Sequence, residues 1–177
     1  MHDVCMTKKT TANKLGALAT ALSDAMAEGF GDLSPSAAAA ILTLRQTETL
    51  GTTELADVVG LSQPACTRMI DRLVADKLAE RRPAQGRMVP ITLTDQGRRL
   101  GELIQARRLG VLRGLTDGLD KKDRKELDRL LEKLLAGIAA TSDTPRRACR
   151  LCDMRVCDGK GCPHTVAMPA PAAGAAE

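Results

Sequence analysis

The stretch Thr52-Thr53-Glu54-Leu55-Ala56-Asp57-Val58-Val59-Gly60-Leu61-Ser62-Gln63-Pro64-Ala65-Cys66-Thr67-Arg68-Met69-Ile70-Asp71-Arg72-Leu73 reads as two short helices joined by a tight turn. That is the arrangement in which the second helix is presented to DNA. Gly60 suits the left-handed residue that ends a helix. Ser62 is a good N-cap, and Pro64 is tolerated in a first turn, where its missing N–H had no helical partner. Cys66, Met69, Ile70 and Leu73 recur at helical spacing and form an inward face. Gln63, Thr67, Arg68 and Arg72 fall on the opposite side.

Immediately downstream, residues 78–82 and 88–93 read as two short strands with a turn over 83–87 between them. Pro90 removes a backbone donor, so its strand lies at an edge or is distorted there. A two-stranded hairpin directly after a recognition helix is a wing. The core for DNA binding is thus expected over residues 52–94.

Helices surround this core. Leu15, Leu18, Leu22 and Met26 make an apolar stripe on a helix from about residue 13 to 28, behind a polar tail over residues 1–11. Ser34-Pro35 is a strong start signal for a second, alanine-rich helix whose small residues allow close packing. Thr94 caps a long helix lined by Leu100, Leu103, Ile104, Val111, Leu112 and Leu115, interrupted by Arg107 and Arg108. A last helix, opened by Asp120 and Asp123, carries Leu127, Leu130, Leu131, Leu134, Leu135 and Ile138 at spacings of three and four. These stripes are too apolar to be covered by a small winged domain, so the helices over 13–30 and 95–141 are expected to pair two chains. The predicted fold is mainly α with a small two-stranded β-wing, a winged helix-turn-helix inside a helical dimerisation domain spanning residues 12–141. Residues 142–164 are expected to form a linker and a cysteine segment, and the Ala/Pro-rich residues 165–177 a disordered tail.

The 177 residues suffice for one domain. Only Phe30 is aromatic, so the core rests on Leu, Ile, Val, Met and Ala. The net charge is +4, and it is unevenly spread. Residues 62–108 hold 10 basic and 5 acidic side chains, whereas residues 1–61 hold 4 and 7. Positive charge therefore peaks in and just after the proposed recognition helix, where phosphates would lie. No apolar run reaches the roughly 18 residues of a membrane span. The first residues lack the apolar core of a signal peptide, so the expected location is cytoplasmic.

The order of elements and several phrases resemble the MarR family of dimeric winged-helix transcriptional regulators. The phrases are Leu33-Ser34-Pro35-Ser36, Glu54-Leu55-Ala56, the run from Leu61 to Arg68, Asp71-Arg72-Leu73, Arg81-Arg82-Pro83 and Leu93-Thr94-Asp95-Gln96-Gly97. The resemblance covers about residues 12–141. It implies a homodimer on double-stranded DNA, with each recognition helix in a major groove and each wing in the adjacent minor groove. Such proteins usually repress, and often release DNA when a small, frequently phenolic ligand binds between the winged and dimerisation parts. In the family an Asp usually precedes the wing arginine; here Gly86 precedes Arg87.

The candidate DNA-binding residues are Ser62, Gln63, Pro64, Thr67, Arg68, Arg72 and Arg87. Gln63 has the two-pronged amide that reads adenine, and Arg68 can read guanine or clamp a phosphate. Thr67 can touch a thymine methyl. Ser62 and the helix N-terminus suit a phosphate oxygen, and Arg72, further along, suits the backbone. Arg87 is the candidate for the minor groove. Cys66 falls on the inward face, with packing as its main role and redox sensing as the alternative.

Four cysteines cluster late in the chain, Cys149, Cys152, Cys157 and Cys162, spaced C-x2-C-x4-C-x4-C. This is the spacing of a zinc knuckle with Cys replacing its usual His. Four thiolates so placed can enclose one tetrahedral ion, with structural zinc the leading case and an iron–sulfur cluster or a dithiol switch the alternatives. His164 could replace one ligand. The segment lacks the aromatic residues on which a nucleic-acid-binding knuckle stacks bases.

Enzymatic readings find little support. The sequence has no Ser/His/Asp set and no glycine-rich phosphate loop, and its two histidines lie near the ends of the chain. A thiol oxidoreductase would need its Cys-x-x-Cys to open a helix after a strand, which Cys149 and Cys152 do not. A helical adaptor that binds no DNA and uses the cysteine segment is the remaining alternative.

Overall fold

A computed structural model of the chain describes residues 2–86, 88–141 and 145–155, apart from the side chains of residues 2–6 and 145. In chain order the elements are α1 (His2–Glu28), α2 (Pro35–Thr47), α3 (Thr52–Val59), α4 (Gln63–Ala75), β1 (Ala79–Arg81), β2 (Ile91–Leu93), α5 (Asp95–Thr116), α6 (Lys121–Thr141) and α7 (Pro145–Cys149). No helix among the described residues is long and apolar enough to cross a membrane.

The helix boundaries follow local chemistry. Ser34 caps α2 by accepting from the Ala37 N–H at 3.2 Å, with Pro35 in the first turn. Glu54 reaches back to the Gly51 N–H and closes the start of α3. Gly60, at φ +75°, ends α3 in the left-handed conformation. Thr94 caps α5 through the Gly97 N–H, and Asp120 accepts from the Asp123 N–H at 2.8 Å ahead of α6.

The core is built around α2. Residues 37–44 are all buried, and Leu55, Cys66, Ile70, Leu73, Ile91 and Leu93 pack about them. Phe30, Leu42 and Ile104 form a second cluster under α5. The close approach of α5 to α2 needs Gly101, where a Cβ would stand 3.1 Å from both Ile41 and Arg45.

The wing is antiparallel, with Ala79 opposite Leu93 and Arg81 opposite Ile91. Its strands are shorter than the expected 78–82 and 88–93, because Pro83 and Pro90 interrupt the supply of N–H donors. Pairing resumes at the tip, where Gln85 and Met88 face each other beside Gly86 at φ +61°. Leu50 adds a bridge to the other edge of Ile91, donating and accepting one backbone bond. That isolated bridge had no signal in the sequence.

Two expectations are corrected. The predicted tail over residues 1–11 is helical from His2, and α1 is 27 residues long. Nothing before Gly16 breaks a helix, and the hydroxyl of Thr11 is satisfied by the Thr7 carbonyl. The predicted linker before the cysteines contains α7, and the residues after it fold back onto α2 and α3. Leu151 supplies the apolar anchor, packing against both core clusters.

The outer helices are barely covered by their own chain. No residue of α6 is buried. Leu15, Leu18, Leu115, Leu130, Leu131, Leu134, Leu135 and Ile138 are between 37% and 55% exposed. Exposure of that many large apolar side chains on neighbouring helices is characteristic of an interaction surface rather than a solvated face.

Candidate nucleic-acid interface

The amphipathic pattern of α4 is realised. Cys66, Ile70 and Leu73 are buried, whereas Ser62, Gln63, Pro64, Thr67, Arg68 and Arg72 are exposed together on the outer side. Ser62 occupies the N-cap position, yet its hydroxyl makes no capping bond, which leaves it available to an incoming phosphate. Gln63 donates to the Thr53 hydroxyl, tying the starts of α3 and α4 together. Thr67 donates to the Gln63 carbonyl at 3.0 Å, so its methyl is the outward group. Among the described residues Arg68 and Arg72 have no ion-pair partner. They stand as uncompensated positive charges on the face that carries the amide and hydroxyl groups. Arg87 lies outside the described residues.

The wing is aimed by a contact that the sequence did not disclose. Arg81 at its base donates to Asp71 of α4 at 2.6 Å. Arg82 pairs with Glu80 at 2.8 Å and reaches the Thr92 hydroxyl at 3.3 Å. The hairpin arginines therefore orient the wing against the recognition helix. The spacing of Asp71 and Arg81 by ten residues has no helical or strand periodicity, which is why it stayed hidden.

Cys66 is fully buried, and burial pushes its thiol up, away from the reactive thiolate. The structure thus gives it the setting of a packing residue.

Of the four clustered cysteines, Cys149 and Cys152 are described, both half-buried; Cys157, Cys162 and His164 lie outside the described residues. Hydrogen bonding to Cys149 brings the Cys152 thiol down to about 6, burial opposing this and the Arg108 charge assisting it. Arg108, which interrupts the apolar face of α5, thus stands near a thiol. Two soft donors within hydrogen-bond reach are half of a tetrahedral thiolate set. Among the described residues no group of three potential ligands comes together. The cysteine segment is also held by a side chain that sequence reasoning missed. The Gln46 amide donates to the Cys152 carbonyl at 2.8 Å and accepts from the Met154 N–H at 2.9 Å.

Comparison with known proteins agrees with this geometry. The MarR family model matches residues 33–86, from the start of α2 to the tip of the wing. A MarR family protein from Bacillus stearothermophilus superposes with a TM-score of 0.66 at 22% identity, over 72% of this chain and 92% of that one. MepR, a transcription regulator of the Staphylococcus aureus multidrug efflux pump MepA, gives 0.64 at 17% identity, over 72% and 97%. The reduced form of MarR from E. coli gives 0.57 at 26% identity, over 68% and 96%. A comparison with curated proteins finds no match. The family's stretch lies across α2, the helix-turn-helix and the wing, and over that stretch the chain is similar to MarR-family regulators and shares their winged helix-turn-helix fold.

Proposed function

We propose that the protein is a repressor that binds a palindromic operator in double-stranded DNA as a homodimer. The observation that carries this reading is the outer face of α4, where Gln63, Thr67, Arg68 and Arg72 are exposed while the opposite face is locked into the core. Only a macromolecular partner uses a rigid, cationic helix face with adjacent amide and hydroxyl groups, and a DNA major groove fits its dimensions and chemistry. The bare apolar helices α1 and α6 supply the second chain, and a two-fold axis turns one half-site into a palindrome.

Selection of bound sequences from random duplexes tests this directly. An inverted repeat is expected, with half-sites separated by about one or two helical turns. With the selected operator, Arg68→Ala is expected to cost roughly 1–3 kcal/mol and to relax the preference at one position of each half-site. Arg87→Ala is expected to weaken binding evenly across sequences and to flatten the salt dependence. Parent-like binding by both variants would overturn the assignment of these contacts.

A second reading concerns the signal. Between the cysteine segment and the body of the domain there is a cleft with about 20 Å³ of free volume, room for one water. An organic effector does not fit that cleft with the segment seated, and at this site the signal we infer is a metal or redox one at the cysteines. Cys149, Cys152, Cys157 and Cys162 would hold one structural Zn²⁺, which supplies local order to a segment too short for a core of its own. Metal analysis of protein purified without oxygen is expected to give one zinc per chain. Iron with acid-labile sulfide, and colour, would replace zinc by an iron–sulfur cluster.

A further inference from the structure

The seating of the cysteine segment is more than a covering of spare surface. Its contacts fall on the elements that aim the recognition helix. Arg147 of α7 lies over Gly60, with its Nε 3.1 Å from where a Cβ would stand, in the turn between α3 and α4. Gln46, near the C-terminal end of α2, clasps the backbone on both sides of Asp153, pairing residues 106 and 108 positions apart. Asp153 is itself buried, its carboxylate paired with Arg155 at 3.2 Å and held below the usual carboxylate range by that guanidinium. Leu151 enters the core from the same segment. Cys149 lines the residual cleft together with Thr43, Leu50 and Val58, the last two being the residue bridged to β2 and a residue of α3.

Two consequences follow from this packing. The cleft beneath Cys149 has space for a water only, so a bulky group on the Cys149 sulfur that enters the cleft and a seated segment exclude each other. Unseating removes the Gln46 clasp and the Arg147 contact together, because both are carried by residues 145–155.

We propose that the groove formed by α2 and α3 is the seat of the chain's own segment 145–155, and that chemistry at Cys149 and Cys152 reaches the helix-turn-helix through whether that seat is filled. The seated segment braces the α3–α4 turn in its DNA-reading position; the unseated one leaves α3 free to shift on α2. The effect on DNA rests on the reading of α4 as the DNA-binding helix, whereas the seat itself does not.

The test uses the full chain, stripped of any bound metal with a chelator and reduced, then labelled with N-ethylmaleimide. The thiolate adds to one carbon of the maleimide double bond and a solvent proton goes to the other, giving a thioether with no oxidant required. Amide hydrogen exchange over residues 43–61 and affinity for the selected operator are measured before and after labelling. The same is done for Gln46→Leu and for the double variant Cys149→Ser/Cys152→Ser. Labelling of the parent, and Gln46→Leu without labelling, are each expected to speed exchange in that window at least about tenfold and to lower operator affinity by a similar factor. The double-serine variant, which keeps Cys5, Cys66, Cys157 and Cys162, is expected not to respond to the reagent. Unchanged exchange after labelling at Cys149 and Cys152, or an equal response from the double-serine variant, would overturn the seat. Faster exchange with unchanged operator affinity would overturn the coupling to DNA. If the parent selects no duplex at all, the repressor reading fails on its own, and the exchange data still decide the seat.

Discussion

Gly97→Ala is expected to destabilise the fold by about 3 kcal/mol, at the upper end of what one added methyl costs in a packed site. A Cβ at this position would lie 2.9 Å from the Leu78 carbonyl carbon and closer still to its oxygen. The obstacle is backbone, so no side chain can rotate away. That carbonyl is also fixed, since it accepts the Thr94 N–H at 3.1 Å while the Thr94 hydroxyl donates to the Lys77 carbonyl at 2.6 Å. Helix α5 starts where it does because it can slide against the entry to β1 at a residue without a side chain. For a chain of this size the loss corresponds to a fall in melting temperature of roughly 6–12 °C. Gly110→Ala, in the same helix with nothing within 4 Å, is the control and is expected to stabilise by about 0.5–1 kcal/mol. Urea or thermal unfolding followed at 222 nm checks both. A Gly97→Ala protein as stable as the parent would mean that the junction between wing and long helix is looser than described.

The second large effect concerns assembly. Leu131 and Leu134 of α6 are 45% and 49% exposed in one chain, and the double substitution Leu131→Glu/Leu134→Glu is expected to separate the dimer. Each leucine contributes about 1.5–3 kcal/mol when fully buried, and in a two-fold interface each is lost twice. With about half of each side chain left to bury on pairing, the four leucines lose roughly 3 kcal/mol at the lower figure, a rise in dissociation constant of about two orders of magnitude. Sedimentation at micromolar concentration is expected to show a dimer for the parent and a monomer for the variant. Operator binding is expected to fall to that of a single half-site. A variant that still sediments as a dimer would place the interface elsewhere. The groove between α1 and α5, lined by Leu18, Leu22, Val111 and Leu115, would be the next surface to test.

Much of this architecture was legible in the linear chain, because its causes are local. Gly60 ends α3 in the left-handed region, Ser34 and Thr94 cap the helices they precede, and the spacing of Cys66, Ile70 and Leu73 sets which side of α4 is buried. Each depends on residues within a turn or two of one another. The outward set of Gln63, Thr67, Arg68 and Arg72 follows from the same periodicity. Where local rules were weaker, reading fell short. Residues 2–12 carry no breaker but also no apolar stripe, and the absence of a stripe suggested a tail where the backbone is helical.

Only the tertiary structure decided which side chains meet across long separations. Asp71 and Arg81 pair because the turn at Lys77 brings the wing back along α4, and no periodicity reports that. Gln46 looked like one more polar residue at the end of α2. Its role appears only when a segment 106 residues later lies beside it, because an amide can bond any backbone that passes at the right distance. The grouping of cysteines was plain from their spacing, since chelation by neighbours in sequence is a local property. That Cys149 and Cys152 sit on the braces of the helix-turn-helix was not, because the direction in which a short segment folds back is set by where the domain leaves an apolar seat for Leu151.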